Sequence, residues 1–309
     1  MPFSEVYRNQ VKLLIRALPI VAKEECFALK GGTAINFFVR DLPRLSVDID
    51  LTYVPVHSRQ ESLAAINAAM GRIADGVTAV IPDAQATVTK LPAEKTVTKV
   101  LVRAGGAQVK IEVTPVLRGC VYDPELRAVS NAVQEAFGYA EMNVVSFADL
   151  YGGKIVAALD RQHPRDLFDI RDLLAKEGID DALRCAFAVY LVSHSRPMAE
   201  VLAPTRKSIS EEFIHGFEGM TADSVSLRDL SDARELLIET VVGKMPQSHR
   251  QFLVSFKRGE PDWKLLGLPA AVANLPAVQW KQQNLEKLKT GERARLVAKL
   301  EKVLLGKQS

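Results

Sequence analysis

With 309 residues the chain can bury a large core and is long enough for two lobes rather than one compact domain. Hydrophobic residues at 48% and charged residues at 25% are ordinary for a soluble globular protein, and a net charge of +3 permits a basic nucleic-acid groove without implying one. No apolar run approaches membrane-spanning length, so no membrane partner is expected. The start Met1-Pro2-Phe3-Ser4-Glu5 lacks a signal-peptide pattern. Cys26, Cys120 and Cys185 lie far apart with no Cys-x-x-Cys pair. They read as reduced, buried small residues of a cytoplasmic protein, and suggest neither a disulfide framework nor a zinc site. There is no internal repeat or low-complexity segment.

From Val6 to Phe27 an apolar helical stripe runs through Val11, Leu14, Ile15, Leu18 and Val21. Pro19 should interrupt it, giving one helix and part of a second. Leu29–Tyr53 then opens with Gly31-Gly32-Thr33 and closes on Asp48-Ile49-Asp50, with about one short helix between. A strand over Leu45–Tyr53 puts Val47, Ile49 and Leu51 on one face and both aspartates on the other. Two carboxylates so close repel unless a cation sits between them, and oxygen ligands of this kind suit Mg²⁺ (or Mn²⁺) together with substrate phosphates. The glycines allow positive φ and a close approach of the backbone, and the amides of the following helix favour a phosphate. A lone Gly-Gly-Thr is most often only a turn, and Asp-x-Asp is common on solvated strand edges. Their conjunction in this order is the informative feature.

Ser58 to Glu61 form a capping box, followed at helical spacing by Leu63, Ile66, Met70 and Ile73, a scaffolding helix. Strands are predicted at Ala86–Leu91, Thr96–Arg103 and, after a hairpin at Gly105-Gly106, Gln108–Pro115. In the last, Lys110 and Glu112 share a face. Glu112 has two readings: a third carboxylate brought beside Asp48 and Asp50, or half of a surface Lys/Glu pair. Cys120–Val145 reads as a connection of mixed turns.

Beyond Ser146, itself a helix cap, the chain reads as almost entirely helical, which sets the expected domains at 1–145 and 146–309. One helix carries Lys154; another begins at Pro164 with Asp166 in its first turn, and Asp166 and Asp169 share a face. The crowd of Lys154, Arg161, Arg165, Asp166 and Asp169 is on composition a solvated, self-paired surface. His163 reads as a loop residue rather than a general base. Helices are also expected over Ile179–Val192 and Leu227–Val242, a loop anchored by Trp263 around Gly259–Pro276, and a basic amphipathic tail from Gln279. That tail could hold RNA backbone or simply be a docked terminal helix.

Gly31-Gly32-Thr33 followed by Asp48-x-Asp50 resembles the first motif of DNA-polymerase-β-like nucleotidyltransferases. The fuller wording Leu-Lys-Gly-Gly-Thr-Ala…Arg-Leu-Ser-Val-Asp-Ile-Asp-Leu resembles the AbiEii/AbiGii toxin family, which includes the MenT toxins. Lys154 and Arg165-Asp166-Leu167-Phe168-Asp169 match that family's downstream Lys and Arg-Asp-Leu-x-Asp segments. The resemblance implies an α/β nucleotidyltransferase domain with a small mixed sheet, then an α-helical domain completing a cleft. It implies Mg-dependent transfer of NMP from an NTP to the 3′ end of tRNA, and a cognate antitoxin as partner. Asp48 and Asp50 would hold the metal, with Glu112 as a candidate third ligand. Gly31, Gly32, Thr33, Lys154 and Arg165 would bind the nucleotide, and Asp169 or Asp166 would orient Lys154. A monomer is expected. The alternatives are transfer to a small molecule or protein, or a non-catalytic nucleotide sensor.

Overall fold

The computed structural model describes residues 3–305; Met1 and Pro2 of the opening pentapeptide, and the last four residues of the basic tail, lie outside them. Two compact units are present, residues 1–150 with 217–224 and residues 151–216 with 225–309, the division falling within one helix.

The first unit is built on a seven-stranded mixed sheet. It opens with α1 (Glu5–Val21), β1 (Phe27–Lys30) and α2 (Gly31–Thr33), which runs directly into a π-helical segment, Ala34–Val39. β2 (Asp48–Tyr53), α3 (Arg59–Val80), β3 (Gln85–Lys90), β4 (Val97–Ala104) and β5 (Ala107–Val113) follow. The unit's last elements are β6 (Glu125–Ala128), α4 (Asn131–Phe137), β7 (Glu141–Val144) and the start of α5 (Phe147–Arg161). The strand order is β3-β4-β5-β2-β1-β7-β6, with β2/β5 and β1/β7 parallel and the other pairs antiparallel.

Three sequence expectations change. The stripe that included Pro19 is one helix to Val21, because Pro19 stands in its last turn amid buried Leu18, Ile20 and Val21. In place of the expected second helix, residues 22–26 turn into strand β1, which begins at Phe27. Cys120–Val145 is not a loop region: β6 and β7 form an antiparallel pair that extends the sheet through β1. Those strands are four residues each, too short to show a periodicity.

The register decides which side chains share a face. Leu29, Leu51 and Val113 line up across β1, β2 and β5, as do Ile49, Ile111 and Val100 across β2, β5 and β4, and all are fully or almost fully buried. α1 and α3 pack on the sheet and on each other, and α3 carries the Ser58/Glu61 capping box. A one-residue slip of β2 would drive Asp48 and Asp50 into that core, so the apolar face holds the acidic face in place.

The second unit is helical: the rest of α5, then α6 (Pro164–Lys176), α7 (Asp181–Ser193), α8 (Met198–Leu202), α9 (Ser210–Gly216) and α10 (Leu227–Ile238). α11 (Gln247–Arg258), α12 (Pro276–Glu286) and α13 (Thr290–Leu305) complete it. Trp263 packs on Phe252 at 4.9 Å between ring centroids, anchoring its loop. The basic tail is the docked helix pair α12–α13: Leu285, Leu300 and Leu304 are buried, and α13 lies on α11 and α8. All three thiols are free. Cys185 is buried, but Cys26 and Cys120 are only half-buried, and burial pushes their thiols up to about 11 and about 12.

Candidate active site

In the first unit β1 delivers the chain into the glycine turn directly beside the aspartates. Lys30 is the cross-strand partner of Asp50, so Gly31 follows at the very edge of the acidic face. Gly31 has φ +76°, and a Cβ there would stand 2.5 Å from Asp50 Oδ2. At Gly32 a Cβ would stand 2.8 Å from an Arg44 guanidinium nitrogen and 2.9 Å from Ser46 Oγ. A Cβ at either glycine would displace those side-chain ends, and at Gly31 the left-handed backbone calls for glycine as well. Gly31→Ala is expected to cost about 1–2 kcal/mol from the left-handed backbone alone, and to displace the Asp50 carboxylate. Thermal denaturation measures the first effect; an unchanged midpoint would show that the turn rearranges freely.

Thr33 is 1% exposed, and its hydroxyl donates to the Asp48 carbonyl at 2.5 Å and shares a hydrogen bond with the Ser46 hydroxyl at 3.0 Å. The side chain expected to bind nucleotide thus ties the turn to β2, and what it can offer a phosphate is backbone. Asn36 Nδ2 donates to the Gly32 carbonyl at 2.9 Å, steadying the same turn from the π-helical segment. Arg44, 2% exposed, donates to the Leu45 carbonyl at 2.9 Å and forms a bridge with Thr221. Arg44 and Ser46 were invisible as site residues in the sequence, since their role is to wall the turn.

Asp48 and Asp50 project from the face opposite the core, and the Asp48 side chain is 32% exposed. Glu112 lies directly across from Asp50 on β5, as the register reading required, and Lys110 across from Asp48. Glu112 is held by ammonium groups: Lys110 Nζ is 2.9 Å from one oxygen and Lys99 Nζ 3.8 Å from the other. Burial pulls the Lys30 ammonium below the ordinary lysine value, against the opposing pull of Asp50, Cys120 and Glu112. Among the described residues no group of three or more His, Cys, Asp or Glu side chains is gathered to hold a metal. The Asp48/Asp50 pair does fit the habit of Mg²⁺, which takes one or two protein carboxylates and completes its shell with phosphate oxygens and water.

In the second unit Lys154, Asp166 and Asp169 form one buried cluster. Lys154 Nζ is 2.9 Å from Asp166 Oδ1 and 3.0 Å from Asp169 Oδ2, with the three side chains 7%, 4% and 0% exposed. Sequence left open which aspartate turns inward; both do. Arg161 Nη2 adds a 2.8 Å contact to Asp166 Oδ2. Burial acts against the Asp166 charge, yet Lys154 and Arg161 outweigh it and bring its carboxyl down to about 2. This is not the solvated surface that composition alone suggested.

The connection between α5 and α6 makes the cluster possible. Gln162 takes φ +57°, a left-handed conformation rare for a residue with a side chain, and is 1% exposed. Its amide nitrogen donates to the Thr205 carbonyl, and its oxygen accepts from the Lys207 amide and from Arg234. These bonds hold a sharp reversal that a sequence pattern cannot announce. His163 is the cap of α6, its Nδ1 accepting from the Arg165 amide at 3.1 Å, and burial lowers its pKa. That is a structural use of the ring, at the helix start rather than in a loop. Arg165 contributes that amide, while Arg161 rather than Arg165 makes the second cationic contact to Asp166.

The family model for nucleotidyl transferase AbiEii toxins of type IV toxin–antitoxin systems matches residues 12–284. No curated protein matches the sequence. The fold is similar to that of MenT4, a nucleotidyltransferase toxin from Mycobacterium tuberculosis H37Rv, with a TM-score of 0.54. Identity is 15%, over 95% of this chain and 93% of that one, so the likeness is one of fold.

Proposed function

Because the chain belongs to the AbiEii family of nucleotidyltransferase toxins of type IV toxin–antitoxin systems, we propose that it transfers NMP from an NTP to the 3′ acceptor end of tRNA. Translation would stop, and a cognate antitoxin would be the partner that restrains the toxin. The reaction is Mg²⁺-dependent in this reading, with Mn²⁺ as a substitute, and the protein acts as a cytoplasmic monomer. The observation that carries the reading is the Asp50 carboxylate packed against the Gly31 backbone, on the same face as Asp48. It joins a carboxylate pair to a turn shaped for close backbone approach.

Asp48 and Asp50 would hold the ion, which when bound polarises phosphoryl oxygens as a Lewis acid. The Gly31-Gly32 turn, whose Cβ positions are filled by Asp50, Arg44 and Ser46, would offer the triphosphate its backbone amides. The tRNA 3′ oxygen forms a bond to the α-phosphorus, the bond from that phosphorus to the β-phosphate bridging oxygen breaks, and pyrophosphate leaves. The hydroxyl proton passes to water. Lys154 is the residue that the family resemblance assigns to the nucleotide phosphates, and within its own unit Asp166 and Asp169 fix its ammonium.

Incubation of the purified protein with each labelled NTP, Mg²⁺ and total tRNA should label tRNA with at least one NTP, and Asp48→Ala should remove the label. No transfer with any NTP, or transfer indifferent to Asp48→Ala, would overturn the tRNA reading.

A further inference from the structure

The acidic face of the sheet carries more charge than two aspartates. Lys30 on β1, Asp50 on β2, Glu112 on β5 and Lys99 on β4 are successive cross-strand partners, and Asp48 pairs with Lys110. Asp50 and Glu112 are like charges directly opposite each other, an arrangement that destabilises a sheet unless cations intervene. Here they do. Lys110 Nζ is 2.9 Å from Glu112 Oε2 and 3.9 Å from Asp48 Oδ1, so one ammonium joins the carboxylates of two strands. Lys99 Nζ is 3.8 Å from the other Glu112 oxygen. Glu112 therefore has both oxygens facing ammonium groups and would have to give one up to ligate a divalent ion.

We propose that Lys110 is a positioning residue standing in for a second metal ion: tethered by Glu112, it neutralises Asp48 from the β5 side, and the site takes one divalent ion, at Asp48 and Asp50. Sites that use two ions set them about 3.5–4 Å apart between shared carboxylates. An ammonium 2.9 Å from Glu112 and 3.9 Å from Asp48 already fills that electrostatic position with covalently attached charge. The assignment rests on the metal reading above and adds to it the stoichiometry, the removal of Glu112 from the ligand set, and a role for Lys110.

The test is a Mn²⁺ titration of the full chain with an equimolar non-hydrolysable NTP analogue, free Mn²⁺ being followed by electron paramagnetic resonance. One ion per complex is expected for the wild type and for Glu112→Gln, and two for Lys110→Met. Lys110→Arg, which keeps a cation at that position, should remain at one. Circular dichroism checks that the variants are folded, and the wild-type count needs no variant. Two ions in the wild type would overturn this proposal while leaving the metal reading standing; no ion would overturn both. Loss of the ion in Glu112→Gln, or a count of one in Lys110→Met, would also overturn the role given to Lys110.

Discussion

Lys154→Met is expected to lower the thermal midpoint of the full chain by the equivalent of about 3 kcal/mol or more. Lys154, Asp166 and Asp169 are 7%, 4% and 0% exposed, so their charges are not shared with solvent. Methionine fills similar volume but takes away the cation that the two aspartates share. Two carboxylates then face each other in a low-dielectric interior, with Arg161 still reaching Asp166. Adding Asp169→Asn should recover part of the loss, because it removes one of the repelling charges; no recovery would mean the cost lies in packing instead.

The same cluster fixes an acid limb. The Asp166 carboxyl is held near 2, below its ordinary 3.8. A carboxyl depressed in the folded state stabilises the fold above its unfolded value and loses that contribution as pH falls through the folded value. Roughly 2 kcal/mol should therefore disappear between about pH 4 and pH 2. In Lys154→Met the limb should be shallower, since the main cation acting on Asp166 is gone. Denaturation midpoints measured across that window decide it, and parallel limbs in the two proteins would refute the coupling.

The second large effect is on chemistry rather than stability. Asp50→Asn is expected to reduce nucleotidyl transfer by about 10³-fold or more with the fold retained. Asparagine has the shape of aspartate, so the packing against Gly31 survives, but the charge that would hold a cation and that faces Lys30 does not. The rate of labelled NMP transfer and the thermal midpoint separate the two outcomes. A variant within tenfold of wild type would remove Asp50 from the reacting centre.

The local rules held where a stretch was long and periodic. The capping box at Ser58, a strand with both aspartates on one face (expected over Leu45–Tyr53, found at Asp48–Tyr53), and the hairpin between β4 and β5 could be read directly. They were legible because each depends on neighbours within a few residues. Short pieces failed for the same reason: β1, β6 and β7 are four residues each and exist only because a partner strand completes their hydrogen bonds.

By itself, the sequence determined that Asp48 and Asp50 share a face, that two glycines precede them, and that Asp166 and Asp169 lie one helical turn apart. Only the tertiary structure decided what those residues touch. It turned the Thr33 hydroxyl onto β2, placed Glu112 between two lysines, and closed Lys154 on both aspartates through a reversal held at Gln162. The physical reason is range. Periodicity follows from backbone geometry over a few residues, whereas the partner of a buried charge is set by strand order and helix packing between residues that the chain order keeps apart. Glu112 and Asp50 are neighbours because β2 and β5 pair in parallel, a consequence of the whole sheet rather than of either strand.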